Sequence, residues 1–66
     1  MAVLKVIEVL ASSTKGFEDA CQNAVKHASK SVKNIRSCYV NEQTCVVNND
    51  QITEYRVNVK ITFEVN

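Results

Sequence analysis

A chain of 66 residues with eight Lys and Arg, seven Asp and Glu, three Cys and a net charge of +1 makes one small domain, spanning 1–66. Such a domain buries only about 60% of the surface its unfolded chain exposes, so it calls for a further source of stability. The odd cysteine count, the lack of a CxxC pair or signal-peptide pattern, the absence of any apolar run near ~20 residues and the interleaved charges argue against a secreted disulfide scaffold, a membrane protein and a nucleic-acid binder.

What remains is a soluble, cytoplasmic domain that gains stability by association with itself. The first element, Ala2 to Leu10 (AVLKVIEVL), is rich in β-branched residues and reads as a strand. Val3, Ile7 and Val9 fall on one parity, and Leu4, Val6 and Leu10 on the other. A strand apolar on both faces is covered on both faces, and a single helix covers one. SSTKG follows, with Ser13 or Thr14 expected as the helix N-cap. From Phe17 the apolar residues Ala20, Cys21, Ala24, Val25, Ala28 and Val32 keep the spacing of one helical stripe. Glu18 and Asp19 stand early in it, and Lys26, Lys30 and Lys33 late, as the helix dipole favours. The three alanines imply close packing on a sheet.

A second strand is expected from Arg36 to Val47, then a tight turn at Asn48–Gln51, where Asn and Asp tolerate positive φ. In the third strand Tyr55, Val57, Val59, Ile61, Phe63 and Val65 alternate without a break against Arg56, Asn58, Lys60, Thr62 and Glu64. Fourteen strand residues span roughly 45 Å and a helix of about eighteen only ~27 Å. The hairpin therefore outruns its helix, and another subunit must cover the overhang. The fold class expected is α+β: β-α-β-β, a three-stranded antiparallel sheet with one helix packed across it.

Chemistry is sparse. Cys21, Cys38, Cys45 and His27 are the only soft metal ligands. Cys38 and Cys45, seven apart on one strand, are expected on opposite faces, which leaves no four-ligand zinc site within one chain. The thiols read as buried structural groups, and no spacing brings a Cys and the His together as nucleophile and base. Neither a metal site nor catalytic residues are assigned, and the chain is not read as an enzyme. Glu18 and Asp19 suit dipole compensation better than catalysis. Asn41, Gln43, Arg56 and Asn58 read either as a polar ligand groove on the face opposite the helix or as a solvated sheet face. Ser37 is small and polar at a strand start, where a large apolar residue is the usual choice.

The segments KVIEV, S-x-x-x-FEDA, A-x-K-S-V-K-N-I and EYRVNVKITFEV, together with VNEQT, resemble the dodecin family over nearly the whole chain. The resemblance implies a hollow dodecamer of β-α-β-β subunits holding stacked flavins (FMN, FAD or riboflavin) at subunit contacts, in a storage or buffering role. It places Ser37 where flavin-binding dodecins carry a stacking Trp, and Arg56 where they carry a Gln that hydrogen-bonds the ring edge. Ser37 has no π-face, and stacking is worth about 1–3 kcal/mol per base-sized ring. Arg only donates, so one ring-edge donor loses its acceptor. Thr44 and Glu64 stand where some members carry basic residues. Tyr39, two residues beyond Ser37 on the same strand face, reads either as a shifted stacking platform or as an ordinary aromatic at a subunit contact. The resemblance thus implies a flavin-sequestering protein of weakened affinity, or a dodecameric shell without flavin that is structural or binds another small anionic ligand.

Overall fold

The computed structural model describes residues 2–65. Four elements follow in chain order: β1 (Val3–Ser13), α1 (Phe17–Ala28), β2 (Ile35–Asn48) and β3 (Gln51–Val65). They form one antiparallel three-stranded sheet in the order β1-β3-β2, as the alternation of β3 and the turn residues anticipate. β3 is central because it satisfies two hydrogen-bonding edges, and its odd-numbered residues carry the core. Val57, Val59 and Ile61 are fully buried beneath Ala20, Ala24 and Ala28 of α1. Each such branched side chain contributes about 1.5–3 kcal/mol of burial. The alanines let the helix backbone approach the sheet closely. Ile7, Val9, Phe17, Cys21, Val25, Val32, Ile35 and Cys38 pack around this centre.

The hairpin between β2 and β3 turns at Asn49 (φ 52°) and Asp50 (φ 62°). Positive φ at both central residues is the geometry that matches the right-handed twist of the flanking strands. Asn34, also left-handed at φ 62°, redirects the chain into β2. Its carbonyl accepts the Glu64 N–H at 3.0 Å.

Four expectations are corrected. β1 runs on to Ser13, which pairs with Tyr55, so neither Ser13 nor Thr14 caps the helix. Gly16 occupies the cap position without a side-chain bond. The buried Ser13 Oγ instead donates to Asp19 Oδ2 at 2.6 Å and accepts the Lys15 N–H at 2.9 Å, which ties the helix start to the strand end. The helix has 12 residues rather than about eighteen, and Lys30, Val32 and Lys33 lie beyond it. It ends in tight turns, with Lys30 N–H bonded to His27 O and Ser31 N–H to Ala28 O. Ser29 Oγ donates to Lys26 O at 2.7 Å, the local competition by which serine weakens a helix.

The cysteine expectation fails on register. A bulge between Val40 and Glu42 inserts Asn41, so Cys38 pairs with Ile61 and Cys45 with Tyr55, both on the helix side of β3. One extra residue flips the parity of everything beyond it. Cys38 and Cys45 therefore share a face. They are not uniformly buried either: Cys21 and Cys38 are half-buried, and Cys45 is exposed.

The chain measures 51 × 19 × 14 Å. Twelve helical residues cover only about 18 Å of that length. Phe17 at the helix start meets Tyr55 edge-on, ring centroids 5.2 Å apart, and the hairpin continues past it without cover. On that uncovered stretch Val47 is 62% and Ile52 53% exposed.

Candidate functional site

The face of the sheet away from α1 carries the even-numbered residues of β1 and β3. Register assigns its rows across the strands β1, β3 and β2: Val6–Thr62–Ser37, Glu8–Lys60–Tyr39, Leu10–Asn58–Glu42 and Ser12–Arg56–Thr44. The β1 edge is largely apolar, with Leu4, Val6 and Leu10 all more than half exposed and Leu10 reaching 77%, broken by Glu8 and Ser12. The centre and the β2 edge are polar.

One open groove of about 470 Å³ lies on this face, walled by Leu10, Ser12, Glu42, Thr44, Arg56 and Asn58. Its polar floor is organised. Asn58 Nδ2 donates to Glu8 Oε2 at 2.8 Å, and Asn41 Nδ2 donates to Asn58 Oδ1 at 3.5 Å. This chain of amides crosses all three strands and holds the bulged Asn41 over β3. Arg56 stands between the hydroxyls of Ser12 and Thr44 in one row, and the only ion pair among the described residues is Arg36–Glu64, elsewhere on the sheet.

The sequence-derived residues are only partly brought together. Ser37 and Tyr39 occupy neighbouring rows, and Tyr39 is 63% exposed. Arg56 lies on the same face but four residues along β3 from the Tyr39 row and six from the Ser37 row. At 3.3–3.4 Å per residue these gaps are about 13 Å and about 20 Å. No one subunit lets a ring rest on Ser37 and meet Arg56. Of the four residues read as a possible polar groove, Arg56 and Asn58 line it and Asn41 bonds to it. Gln43 does not, because it pairs with Val57 and borders a recess beside the helix start with Lys15 and Phe17. The same bulge is responsible. Leu10, Ser12 and Glu42 line the groove without belonging to that polar set. The apolar even parity of β1 pointed to Leu10, whereas nothing in the sequence marks the bulge that brings Glu42 onto this face.

The thiols face the other way. Burial pushes the Cys38 thiol above its ordinary pKa, and the neighbouring Cys21 adds to the rise. That environment favours the neutral thiol, the opposite of an activated nucleophile. Among the described residues no group of three or more His, Cys, Asp or Glu could hold a metal ion. None of the described helices is long and apolar enough to cross a membrane.

Fold and surface together define a small β-α-β-β domain with an incompletely covered sheet and an open face of mixed polar and apolar character. The Dodecin family model matches residues 3–66, and the chain belongs to the dodecin family. It is 34% identical over 65 residues to the calcium dodecin of Mycobacterium tuberculosis, covering 98% of this chain and 92% of that protein. The crystal structure of that calcium dodecin, described as calcium-chelating with a novel calcium-binding site, superposes with a TM-score of 0.83 at 33% identity over 97% of this chain and 91% of the other. The dodecin of Streptomyces davaonensis gives a TM-score of 0.92 at 25% identity, covering 98% and 96%. A variant of T. thermophilus dodecin gives 0.93 at 26%, covering 100% and 98%.

Proposed function

We propose that the chain is one subunit of a hollow cytoplasmic homo-dodecamer that binds and sequesters a flavin (FMN, FAD or riboflavin) without transforming it. The observation that carries this reading is Tyr39. Its ring is 63% exposed, one row from Ser37, on the face that also exposes Leu4, Val6 and Leu10 of β1. It offers the π-surface that Ser37 lacks, and a single phenol platform gives weaker holding than an indole. The separation of Tyr39 and Arg56 favours a site completed between subunits, with the ring on Tyr39 of one and its edge or phosphate against Arg56 of the next. The groove is lined by a single carboxylate, Glu42, and by no histidine, cysteine or lysine, and the role inferred is storage or buffering.

The test is direct. Protein purified from cells is examined for flavin absorption between the near-UV and the blue, then titrated with FMN while flavin fluorescence is followed. Tyr39→Ala is expected to weaken binding ~10-fold or more, the loss of one stacking contact. Unchanged binding in that variant refutes Tyr39 as the platform.

A second reading has its own observation. Arg56, flanked by the Ser12 and Thr44 hydroxyls and free of a carboxylate partner among the described residues, suits a small anion. On this reading the assembly is a shell without flavin. A colourless protein that leaves FMN fluorescence unquenched, and that binds inorganic phosphate only while Arg56 is present, distinguishes it from the first.

A further inference from the structure

The charges of the subunit are segregated in a way that ligand binding on the helix-free face does not use. Residues 26–36 hold four of the eight Lys and Arg and none of the seven Asp and Glu. Residues 37–55 hold Glu42, Asp50 and Glu54 and no Lys or Arg. The basic stretch is the last helical turn and the link into β2, at the end where Ile35 pairs with Phe63. The acidic stretch runs out along β2 to the turn at Asn49 and Asp50, the other end of a molecule 51 Å long.

Neither end is fully neutralised: of the four cations at the basic end only Arg36 is paired, with Glu64 at 3.2 Å. Lys26, Lys30 and Lys33 are exposed and make no ion pair among the described residues, and the same holds for Glu42 and Asp50. The acidic end also carries the uncovered apolar pair Val47 and Ile52, cross-strand partners beyond the reach of α1. Each end therefore presents what the other end of a second copy lacks. Residues 26–36 include no aromatic for stacking on a nucleic-acid base, and their apolar members Ala28, Val32 and Ile35 pack on the core, while Val3 and Leu4 at that end of β1 are exposed.

We infer that subunits associate head to tail, the acidic hairpin of one copy seated on the basic helix end of the next. This rests on the reading of the chain as an assembling subunit and adds which ends meet. Val47 and Ile52 supply apolar contact, and the charges supply orientation. Such a contact uses two different patches and closes only into rings or higher closed assemblies, not isolated pairs. Exposed ion pairs add little affinity each, but complementary fields steer encounter and select register.

The experiment follows association of the full chain by light scattering after dilution from denaturant, with native mass spectrometry of the product. It is run at about 0.01 M and about 1 M salt, where the Debye length is about 30 Å and about 3 Å. Association is expected to slow ~10-fold or more at high salt. At low salt, Lys30→Glu with Lys33→Glu and, separately, Asp50→Lys with Glu54→Lys are each expected to associate slowly. Mixed together, the two variants should recover a rate near the wild type, since one now bears two acidic ends and the other two basic ones. Where circular dichroism shows that a reversal unfolds the chain, Lys30→Gln with Lys33→Gln and Asp50→Asn with Glu54→Gln take its place and should lose the salt dependence. Assembly indifferent to salt and to these four charges overturns the head-to-tail contact while leaving assembly intact. A wild type that stays monomeric at both salts overturns the assembly reading, and the contact with it.

Discussion

Ser37 and Tyr39 sit one row apart on an open sheet face, so exchanging their roles requires no change of backbone. Ser37→Trp is expected to raise flavin affinity by ~10-fold or more, because an indole adds a full stacking surface. Arg56→Gln on that background should add a further gain of about 0.5–1.5 kcal/mol by supplying a ring-edge acceptor. Titration by fluorescence quenching measures both, and an unchanged affinity in Ser37→Trp would show that the face has been remodelled for another ligand. The thiols allow a second residue-scale test. Alkylation followed by peptide mapping should modify Cys45 first and Cys38 last, in line with exposure and with the raised Cys38 pKa. The sign follows from that rise. The neutral Cys38 thiol favours the fold below the pKa it has in the unfolded chain, and this contribution is lost as alkaline pH climbs through the higher folded value. Unfolding midpoints should therefore fall on the alkaline side, and Cys38→Ala should flatten that limb.

At the scale of elements, the hairpin turn and the alanine seam do most to set geometry. Asp50 has φ 62°, a conformation that costs an L-residue roughly 1–2 kcal/mol and glycine almost nothing. Asp50→Gly is expected to stabilise by up to about 1 kcal/mol, and Asp50→Val to destabilise by a comparable amount or more, read from denaturant midpoints. Ala24 is 1% exposed between α1 and the sheet. Ala24→Leu forces the helix off Val57 and Val59 and should cost about 1–3 kcal/mol or abolish folding. A variant as stable as the wild type would mean that the helix is not held in close contact. The stripe of apolar residues showed this helix and its buried face in the sequence. Its end was not legible, because Val32 keeps the helical spacing yet packs from the turn beyond Ala28.

The whole molecule is an elongated subunit whose core is too short for its sheet. Val47 and Ile52 on one side and Leu4, Val6 and Leu10 on the other leave apolar surface in water, which the hydrophobic effect disfavours by about 25 cal/mol per Å². Association with further copies is the outcome expected of such a surface. Val47→Asp with Ile52→Asp should leave the far-UV circular dichroism of the chain intact while shifting native mass spectra from the assembly proposed above to smaller species. A double variant that still assembles fully would place the hairpin tip outside the contacts.

Much of this was present in the order of residues. The alternation of β3, the spacing of Ala20, Ala24 and Ala28 and the run at Asn48–Gln51 determine element type, order and the buried face, because each is a local periodicity or a local φ preference. The two-sided β1 also announced that one helix would not suffice. Tertiary structure alone decided which residues share the open face. A single inserted residue at Asn41, unmarked by glycine or proline, reverses the parity of the second half of β2. It sets Glu42 opposite Asn58 and Thr44 opposite Arg56, sends Gln43 to the helix side and unites Cys38 and Cys45 on one surface. Bulges arise from the fit of one strand against its neighbour, and that fit is not a property of either strand's own sequence.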